Sequence, residues 1–188
     1  ETLHSGIGQG YFQSTPLQLC LMTAQIANGG YAIKPKIIFE NKKDYLKDYL
    51  DFKSKNPQET LPPELLVKNL NLKPLFKNQK NINLVKDAMF SSSNEPGGTS
   101  YRHRIENPKY TFAGKTGSSQ VKRFTEAQRE AEVKQTDLNY KDRDHALFIA
   151  FAPYKDPKYA ISVVVEHGGW GGSAAAPLAK KIIKKVIE

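Results

Sequence analysis

Two nearly continuous apolar segments, residues 145–152 and 159–166, constrain the fold of this chain more than any other feature. Only a short connection, which contains Pro153 and Pro157, separates them. So short a connection predicts that the two segments are antiparallel neighbours in one sheet. Strands with so little polar character are usually covered on both sides, so we expect other elements to pack on both faces of this sheet.

A helical pattern begins at Thr15 and Pro16, which are typical of a helix cap and a first helical turn. Residues 17–27 are apolar on nearly every side of the helix that they would form. This pattern predicts burial of the whole helix, since a surface helix has a polar face. We expect the helix to end at Asn28, because two glycines follow.

Two further helices are predicted from apolar residues at helical spacing. The first spans 83–91, and its apolar residues are Leu84, Val85, Ala88 and Met89. The second spans about 174–187, and the face expected to contact the sheet consists of Ile182, Ile183, Val186 and Ile187. Lysines form its opposite face, so it either covers the sheet with its lysines in water or lies on a membrane surface.

The remaining segments are predicted to form strands and surface structure. Residues 111–121 are predicted to form a strand, and residues 31–39 are predicted to form an edge strand or an extended arm. Residues 40–80 are rich in Lys, Asn and Pro and predict a surface excursion, with short helical pieces near 44–50 and 63–70. A second excursion, residues 122–144, is highly charged and predicts a mobile loop or an exposed helix.

Composition excludes several kinds of site. Cys20 is the single cysteine among 188 residues, so the chain has neither an internal disulfide nor a cysteine-rich metal site, and we expect no cofactor or metal. The formal net charge is +9, but the lysines lack the interleaved aromatic residues of a base-stacking surface. A solvated lysine surface is therefore favoured, and we expect no nucleic acid partner.

The chain contains no apolar run that approaches the ~20 residues needed to span a bilayer, and no signal peptide. Its first residue is Glu1, which leads directly into sequence with ordered character. We therefore expect the chain to be a piece of a larger protein.

Lys115-Thr116-Gly117, on the predicted strand 111–121, carries the clearest chemical signal. It combines a cation, a hydroxyl group and a residue without a side chain, which suits the binding of a peptide that ends in a carboxylate. The same tripeptide is a motif of β-lactamases and penicillin-binding proteins, in which S-x-x-K supplies a serine nucleophile. Three residues alone also occur by chance in turns, so the surrounding sequence has to decide.

The surrounding sequence resembles the transpeptidase domain of class B penicillin-binding proteins. Three stretches carry the resemblance in the family's order: Gly6–Leu19, Ala113–Val121 and His145–Pro153. The form Gly8-Gln9-Gly10 is most similar to the penicillin-binding protein 2 branch, which serves cell elongation. The resemblance implies an α+β fold, a mainly antiparallel sheet flanked by helices, of which residues 1–188 are the C-terminal portion.

The resemblance also implies roles for residues of this strand. Lys115 would attract the terminal carboxylate of the substrate and orient a serine of the second motif. The hydroxyl groups of Thr116 and Ser118 would bind that carboxylate, and Ser119 would belong to the same substrate-binding strand. The backbone N–H of Ser118 would be an oxyanion-hole donor, a kind of contact worth ~3–4 kcal/mol in a transition state. Gly117 would allow the peptide backbone to approach.

The implied reaction is acyl transfer from a D-Ala-D-Ala stem peptide to a serine and then to an amine, and β-lactams would block it. The chain contains one literal S-x-x-K, from Ser119 to Lys122, which we reject because positions i and i+3 of a strand face opposite sides. Ser92-Ser93-Asn94 matches the second motif but stands in the wrong order. The nucleophile and its lysine are therefore expected on the upstream half of the domain, and this chain alone is expected to be inactive.

Two other functions stay open at this point: a β-lactamase-like hydrolase, and a basic binding module without enzymatic activity. For a transpeptidase, the family implies a SEDS-family glycosyltransferase and a shape-determining scaffold as partners. It also implies an anchor in the bacterial inner membrane, N-terminal to this chain, and a catalytic domain in the periplasm.

Overall fold

The computed structural model describes residues 13–35, 73–122, 125 and 133–187. Three helices lie in these ranges: α1 (Pro16–Ala27), α2 (Gln79–Asn94) and α3 (Gly171–Ile187). Three strands accompany them: β1 (Ala113–Ser119), β2 (His145–Ala152) and β3 (Tyr159–Val165). Short 3-10 turns span Tyr101–His103, Gln135–Asp137 and Tyr140–Asp142.

The strands form one antiparallel sheet in the order β1-β2-β3. Lys115 of β1 lies opposite Ile149 of β2, and Phe148 of β2 lies opposite Val163 of β3. The predicted antiparallel strand pair is therefore confirmed, and so is the α+β fold with helices on the sheet. Within the described residues, β1 and β3 are the two edges of this sheet.

Helix α3 covers one face of the sheet. Its small side chains Ala175, Ala176 and Ala179 are fully buried and let the helix backbone approach the strands closely. They pack with Phe148 of β2, whose ring meets that of Phe112 edge to face at a centroid distance of 6.0 Å. This layer forms the larger of the two apolar clusters in the described residues.

Helices α1 and α2 cover the opposite face. Ala27 of α1 and Met89 of α2 pack with Ala113 of β1 and Phe151 of β2 in a second apolar cluster. The ammonium of Lys86 on α2 donates to the carbonyl oxygen of Ala27 over 3.3 Å and so joins the two helices. Burial lowers the pKa of Lys86, an effect that the neighbouring Asp87 carboxylate opposes.

The predicted cover on both faces is confirmed for β2 but wrong for β3. Ala150, Phe151 and Ala152 of β2 have no exposed surface. Tyr159 and Val164 of β3 are 45% and 36% exposed. The difference follows from position, because β2 has a strand on each side, whereas β3 ends the sheet in the described part of the chain.

Helix α1 begins as predicted, but it is not buried all round. The side chain of Thr15 accepts a hydrogen bond from the backbone of Gln18, and the side chain of Gln18 accepts one from the backbone of Thr15. Leu17 is 63% exposed and Met22 is 42% exposed, so the prediction of complete burial is wrong for these residues. The sheet covers one side of α1, and no described element covers the side that carries Leu17.

Helices α2 and α3 are longer than predicted, and only part of each predicted apolar face packs in the core: Met89 in α2, and Ile183 and Ile187 in α3. In α2, Ile82 and Met89 are buried whereas the predicted Leu84 is 69% exposed. In α3, Ile183 is buried with the alanines, whereas Ile182 and Val186 are about half exposed, at 47% and 49%. The alanine stripe decides the face of α3, because small residues bring a helix nearest to the sheet.

The predicted excursions lie mostly outside the described residues. The helical pieces expected near 44–50 and 63–70 fall there entirely. Of the arm expected at 31–39, Tyr31 forms a single antiparallel bridge with Pro74, and the residues beyond 35 are outside the described ranges. In the charged segment 122–144, residues 133–144 contain two of the 3-10 turns.

Candidate active-site strand

Strand β1 presents the predicted motif at the edge of the sheet. Its inner edge pairs with β2, from Ala113 opposite Phe151 to Ser119 opposite His145. Its outer edge has no strand partner among the described residues. A free edge of this kind exposes backbone N–H and C=O groups that can pair with an extended peptide.

Alternation along β1 divides the five predicted site residues between two faces. Lys115, Gly117 and Ser119 lie on the face that carries α1 and α2, because Ala113 packs into that layer. Thr116 and Ser118 lie on the face that carries α3. The two hydroxyl groups expected to bind a carboxylate are therefore brought together on one face, whereas Lys115 and Ser119 lie on the other.

Lys115 is exposed, and its ammonium group bonds within the motif itself. Its Nζ donates to the carbonyl oxygen of Thr116 over 2.9 Å and lies 3.5 Å from Thr116 Oγ1. No carboxylate of the described residues forms a salt bridge with Lys115. Its positive charge is therefore not neutralised within this part of the chain and can bind an anionic ligand.

The two hydroxyl groups have different partners. Thr116 Oγ1 donates to Thr99 Oγ1 over 2.9 Å. Ser118 Oγ donates to the carbonyl oxygen of Gly169 over 3.5 Å, the limit for a hydrogen bond. The hydroxyl of Thr116 therefore has a closer hydrogen-bond partner than that of Ser118.

A glycine that precedes the predicted helix 174–187 lies close to β1 and β2. A Cβ atom at Gly171, the first residue of α3, would collide with the carbonyl oxygens of Gly117 and Leu147. Only glycine lets α3 begin this close to the strand. At Gly117 itself a Cβ would meet Leu147 Cβ at 3.4 Å, an ordinary contact, so packing among the described residues does not require glycine there.

The end of α2 holds the other side of β1. Ser93 Oγ donates to the carbonyl oxygen of Gly114 over 3.2 Å, and Asn94 Nδ2 donates to the carbonyl oxygen of Phe112 over 2.8 Å. Ser92 Oγ lies 3.2 Å from Thr99 Oγ1. Ser92-Ser93-Asn94 was rejected as a catalytic motif, and in this structure it anchors the strand instead.

Sequence reasoning missed Thr99, although a signal was present. Two small polar residues, Thr99 and Ser100, follow directly on a Gly97-Gly98 turn, where close approach to a helix end is possible. Both then bond to serines of α2, since Ser100 Oγ lies 3.0 Å from Ser93 Oγ.

The geometry supports rejection of Ser119 and Lys122 as a catalytic pair. Ser119 is the last residue of β1, and Lys122 follows after the strand has ended. Lys122 Nζ instead forms a salt bridge of 3.1 Å with Asp142. Among the described residues, no hydrogen bond joins Lys122 Nζ to Ser119.

Within the described ranges, no three His, Cys, Asp or Glu side chains come together in a way that could hold a metal ion. None of the helices in the described part of the chain combines the length and apolar character needed to cross a membrane.

A family model for the penicillin binding protein transpeptidase domain matches residues 1–184. The chain belongs to this family. Peptidoglycan D,D-transpeptidase MrdA of Salmonella typhimurium is 32% identical over 189 residues, which are 100% of this chain and 27% of that protein. MrdA of Acinetobacter baumannii is 34% identical over 97% of this chain and 24% of its own length. The chain thus spans about a quarter of these curated relatives.

Solved structures of penicillin-binding proteins share the fold. The complex between penicillin-binding protein 2 and MreC from Helicobacter pylori gives a TM-score of 0.68 at 32% identity, over 98% of this chain and 27% of that one. Penicillin-binding protein 2 of Pseudomonas aeruginosa in complex with WCK 5153 gives 0.64 at 30% identity, over 98% of this chain and 32% of that one. The predicted resemblance to the penicillin-binding protein 2 branch is confirmed.

Proposed function

We propose that this chain supplies the substrate-binding strand of a peptidoglycan D,D-transpeptidase of the penicillin-binding protein 2 type. The observation that carries the proposal is the Lys115-Thr116-Gly117 motif on an edge strand, with a lysine that no described carboxylate neutralises. The names of the relatives, which are peptidoglycan D,D-transpeptidases, support the same reaction.

In this proposal a stem peptide binds along the outer edge of β1 as an added strand. Lys115 attracts its terminal carboxylate, and the hydroxyl groups of Thr116 and Ser118 bind it, with Ser119 in the same strand. The backbone N–H of Ser118 stabilises the oxyanion that forms when a serine attacks the penultimate D-alanyl carbonyl. D-alanine leaves, and an amine of a second stem peptide then takes the acyl group.

The serine nucleophile and its general-base lysine are proposed to lie outside these residues, on the upstream half of the domain. The contact of Lys122 with Asp142 supports this assignment, because among the described residues no hydrogen bond joins Lys122 to Ser119. The chain also covers only 27% of the Salmonella relative, which leaves ample sequence for the missing motifs. By itself the chain is expected neither to turn over peptide nor to bind penicillin covalently.

The partners follow from the same assignment. β-lactams would acylate the upstream serine, and a shape-determining scaffold would bind the assembled enzyme, as MreC binds penicillin-binding protein 2 of Helicobacter pylori. A SEDS-family glycosyltransferase is the second proposed protein partner. The catalytic domain would lie in the periplasm, held by an N-terminal anchor in the inner membrane.

Acylation by a fluorescent penicillin tests the proposal in the complete protein that contains this chain. We expect Lys115→Ala to lower the second-order acylation rate about 100-fold or more, as loss of an electrostatic contact in an acyl-transfer site does. Lys122→Ala is the matched control, because it removes a nearby lysine that is already paired, and we expect the wild-type rate. Equal rates for Lys115→Ala and the wild type would contradict the proposal.

Mass spectrometry of the labelled protein locates the nucleophile. We expect the penicillin on a serine that precedes Glu1 in the complete protein, and no adduct on the isolated chain. A label on Ser119 or Ser92 would show that the nucleophile lies within these residues after all. Slow release of the bound penicillin separates a transpeptidase from a β-lactamase, which would hydrolyse the acyl-enzyme rapidly.

A further inference from the structure

Three hydroxyl groups form a continuous hydrogen-bonded chain that leads into the motif. Thr116 Oγ1 donates to Thr99 Oγ1 over 2.9 Å, and Thr99 Oγ1 lies 3.2 Å from Ser92 Oγ. Ser92 belongs to the last turn of α2, and Thr99 lies in the connection between α2 and β1. We call these three groups the hydroxyl relay.

The backbone holds Thr99 in place independently of Thr116. The N–H of Ser100 donates to the carbonyl oxygen of Ser92 over 3.1 Å, which closes the connection onto the helix end. A Cβ at Gly98 would collide with the same oxygen, and a Cβ at Gly172 would lie 2.8 Å from the carbonyl oxygen of Thr99. Close backbone contacts on two sides therefore fix Thr99, so that its hydroxyl can orient that of Thr116.

We propose that Thr99 is a positioning residue for the substrate carboxylate and acts through the hydroxyl group of Thr116. This inference rests on the proposed function of β1. A threonine hydroxyl has one hydrogen to donate and two lone pairs, whereas a carboxylate only accepts. In the structure the hydrogen of Thr116 points to Thr99, so it must turn away from Thr99 before Thr116 can bind a carboxylate.

The hydroxyl relay allows the hydroxyl of Thr116 to rotate away from Thr99 without leaving any of the three hydroxyl groups unpaired. When Thr116 donates to the carboxylate, Thr99 can donate to Thr116, and Ser92 can donate to Thr99. Hydrogen bonds in such a chain polarise one another, so Thr116 becomes a stronger donor than an isolated threonine. Without the hydroxyl of Thr99, Thr116 would lose both its present acceptor and this support.

Acylation of the complete protein by a fluorescent penicillin tests the inference, because the penicillin carboxylate takes the place of that of the stem peptide. Thr99→Val keeps the shape of the side chain and removes the hydroxyl, and we expect the acylation rate to fall about 3- to 10-fold. Thr99→Ser restores a hydroxyl and should return the rate to within about twofold of wild type. Thr111→Val is the matched control, since among the described residues the hydroxyl of Thr111 bonds only to the carbonyl oxygens of Asn107 and Pro108, which precede the strand.

A double-mutant cycle separates positioning from other roles. If Thr99 acts through Thr116, the double variant Thr99→Val/Thr116→Val should be no slower than Thr116→Val alone. Fully multiplicative losses would overturn the inference, as would a wild-type rate for Thr99→Val or a loss that Thr99→Ser does not restore. A wild-type protein that penicillin does not acylate would instead overturn the proposed function, and the inference with it.

Discussion

The hydroxyl group of Ser93, in the last turn of α2, donates a hydrogen bond of 3.2 Å to the carbonyl oxygen of Gly114, the residue before Lys115. Ser93 has no exposed surface, and its oxygen also lies 3.0 Å from Ser100 Oγ. A buried serine thus ties three segments together at the start of the motif: α2, the connection that follows it, and β1.

Ser93→Ala should destabilise the protein by about 1–3 kcal/mol, because it leaves buried polar partners without a hydrogen bond. Chemical denaturation of the complete protein, compared with Ser173→Ala, measures the effect. Ser173 is exposed, and within the described part of the chain its hydroxyl bonds only to the carbonyl oxygen of Trp170, just before α3. If the two variants are equally stable, the hydrogen bonds of Ser93 contribute nothing to the stability of the fold.

Ile183→Ala should cost about 2–4 kcal/mol, since the side chain is 3% exposed in the layer between α3 and the sheet. Its neighbour Ile182 is 47% exposed, and Ile182→Ala should cost less than about 1 kcal/mol. The two substitutions remove the same atoms, so unfolding midpoints in urea report burial alone. A larger loss at Ile182 would show that another element covers the outer face of α3.

Ser162→Ala should leave the stability unchanged or raise it by up to about 1 kcal/mol. Ser162 Oγ on β3 is buried and has no hydrogen-bond partner among the described residues. Removing an unpaired buried hydroxyl removes its desolvation cost without breaking a bond. A decrease of more than about 1 kcal/mol in thermal unfolding experiments would show that a group outside the described residues bonds to Ser162.

Tyr154 predicts a specific dependence of stability on pH. Burial, followed by its hydrogen bond of 2.6 Å to Asp87, raises the pKa of Tyr154 from 10.0 to about 12. Between pH 10 and 12 the folded state keeps the phenol proton, which the unfolded state has lost. The contribution of Tyr154 to the free energy of unfolding is therefore complete below pH 10 and declines between pH 10 and 12.

Tyr154→Phe removes both the hydrogen bond and the titration. We expect the variant to be less stable than wild type at pH 9 by about 1 kcal/mol. The difference should shrink as the pH rises towards 12, because wild type alone loses this contribution. Unfolding free energies of both proteins at several alkaline pH values test this, and a difference that stays constant would contradict it.

Local patterns predicted the elements that depend on local physics. The start of α1 at Pro16 and the pairing of β2 with β3 followed from a cap and a short connection, which act between residues close in sequence. The face of α2 did not follow, because Leu84 and Met89 are both apolar and only the sheet determines which of them is buried. Periodicity identifies an apolar face less well when apolar residues occur on more than one side.

The candidate site, like the fold, was only partly predictable from the sequence. Lys115-Thr116-Gly117 was recognisable because it matches a motif of penicillin-binding proteins and the sequence around it resembles that family. The Gly97-Gly98 turn indicated only that Thr99 could approach a helix end; its contact with Thr116, 17 positions further along the chain, could not be predicted from that signal. Hydrogen bonds between distant segments arise only after the backbone has folded, and composition does not encode them.

The contact of Gly171 with the backbone of β1 has a mechanical consequence. Because no side chain separates them, the first turn of α3 cannot shift towards the sheet without colliding with the backbone of Gly117 and Leu147. Any residue larger than glycine at position 171 would push the start of the helix away from the sheet, and with it the buried alanines that pack on Phe148.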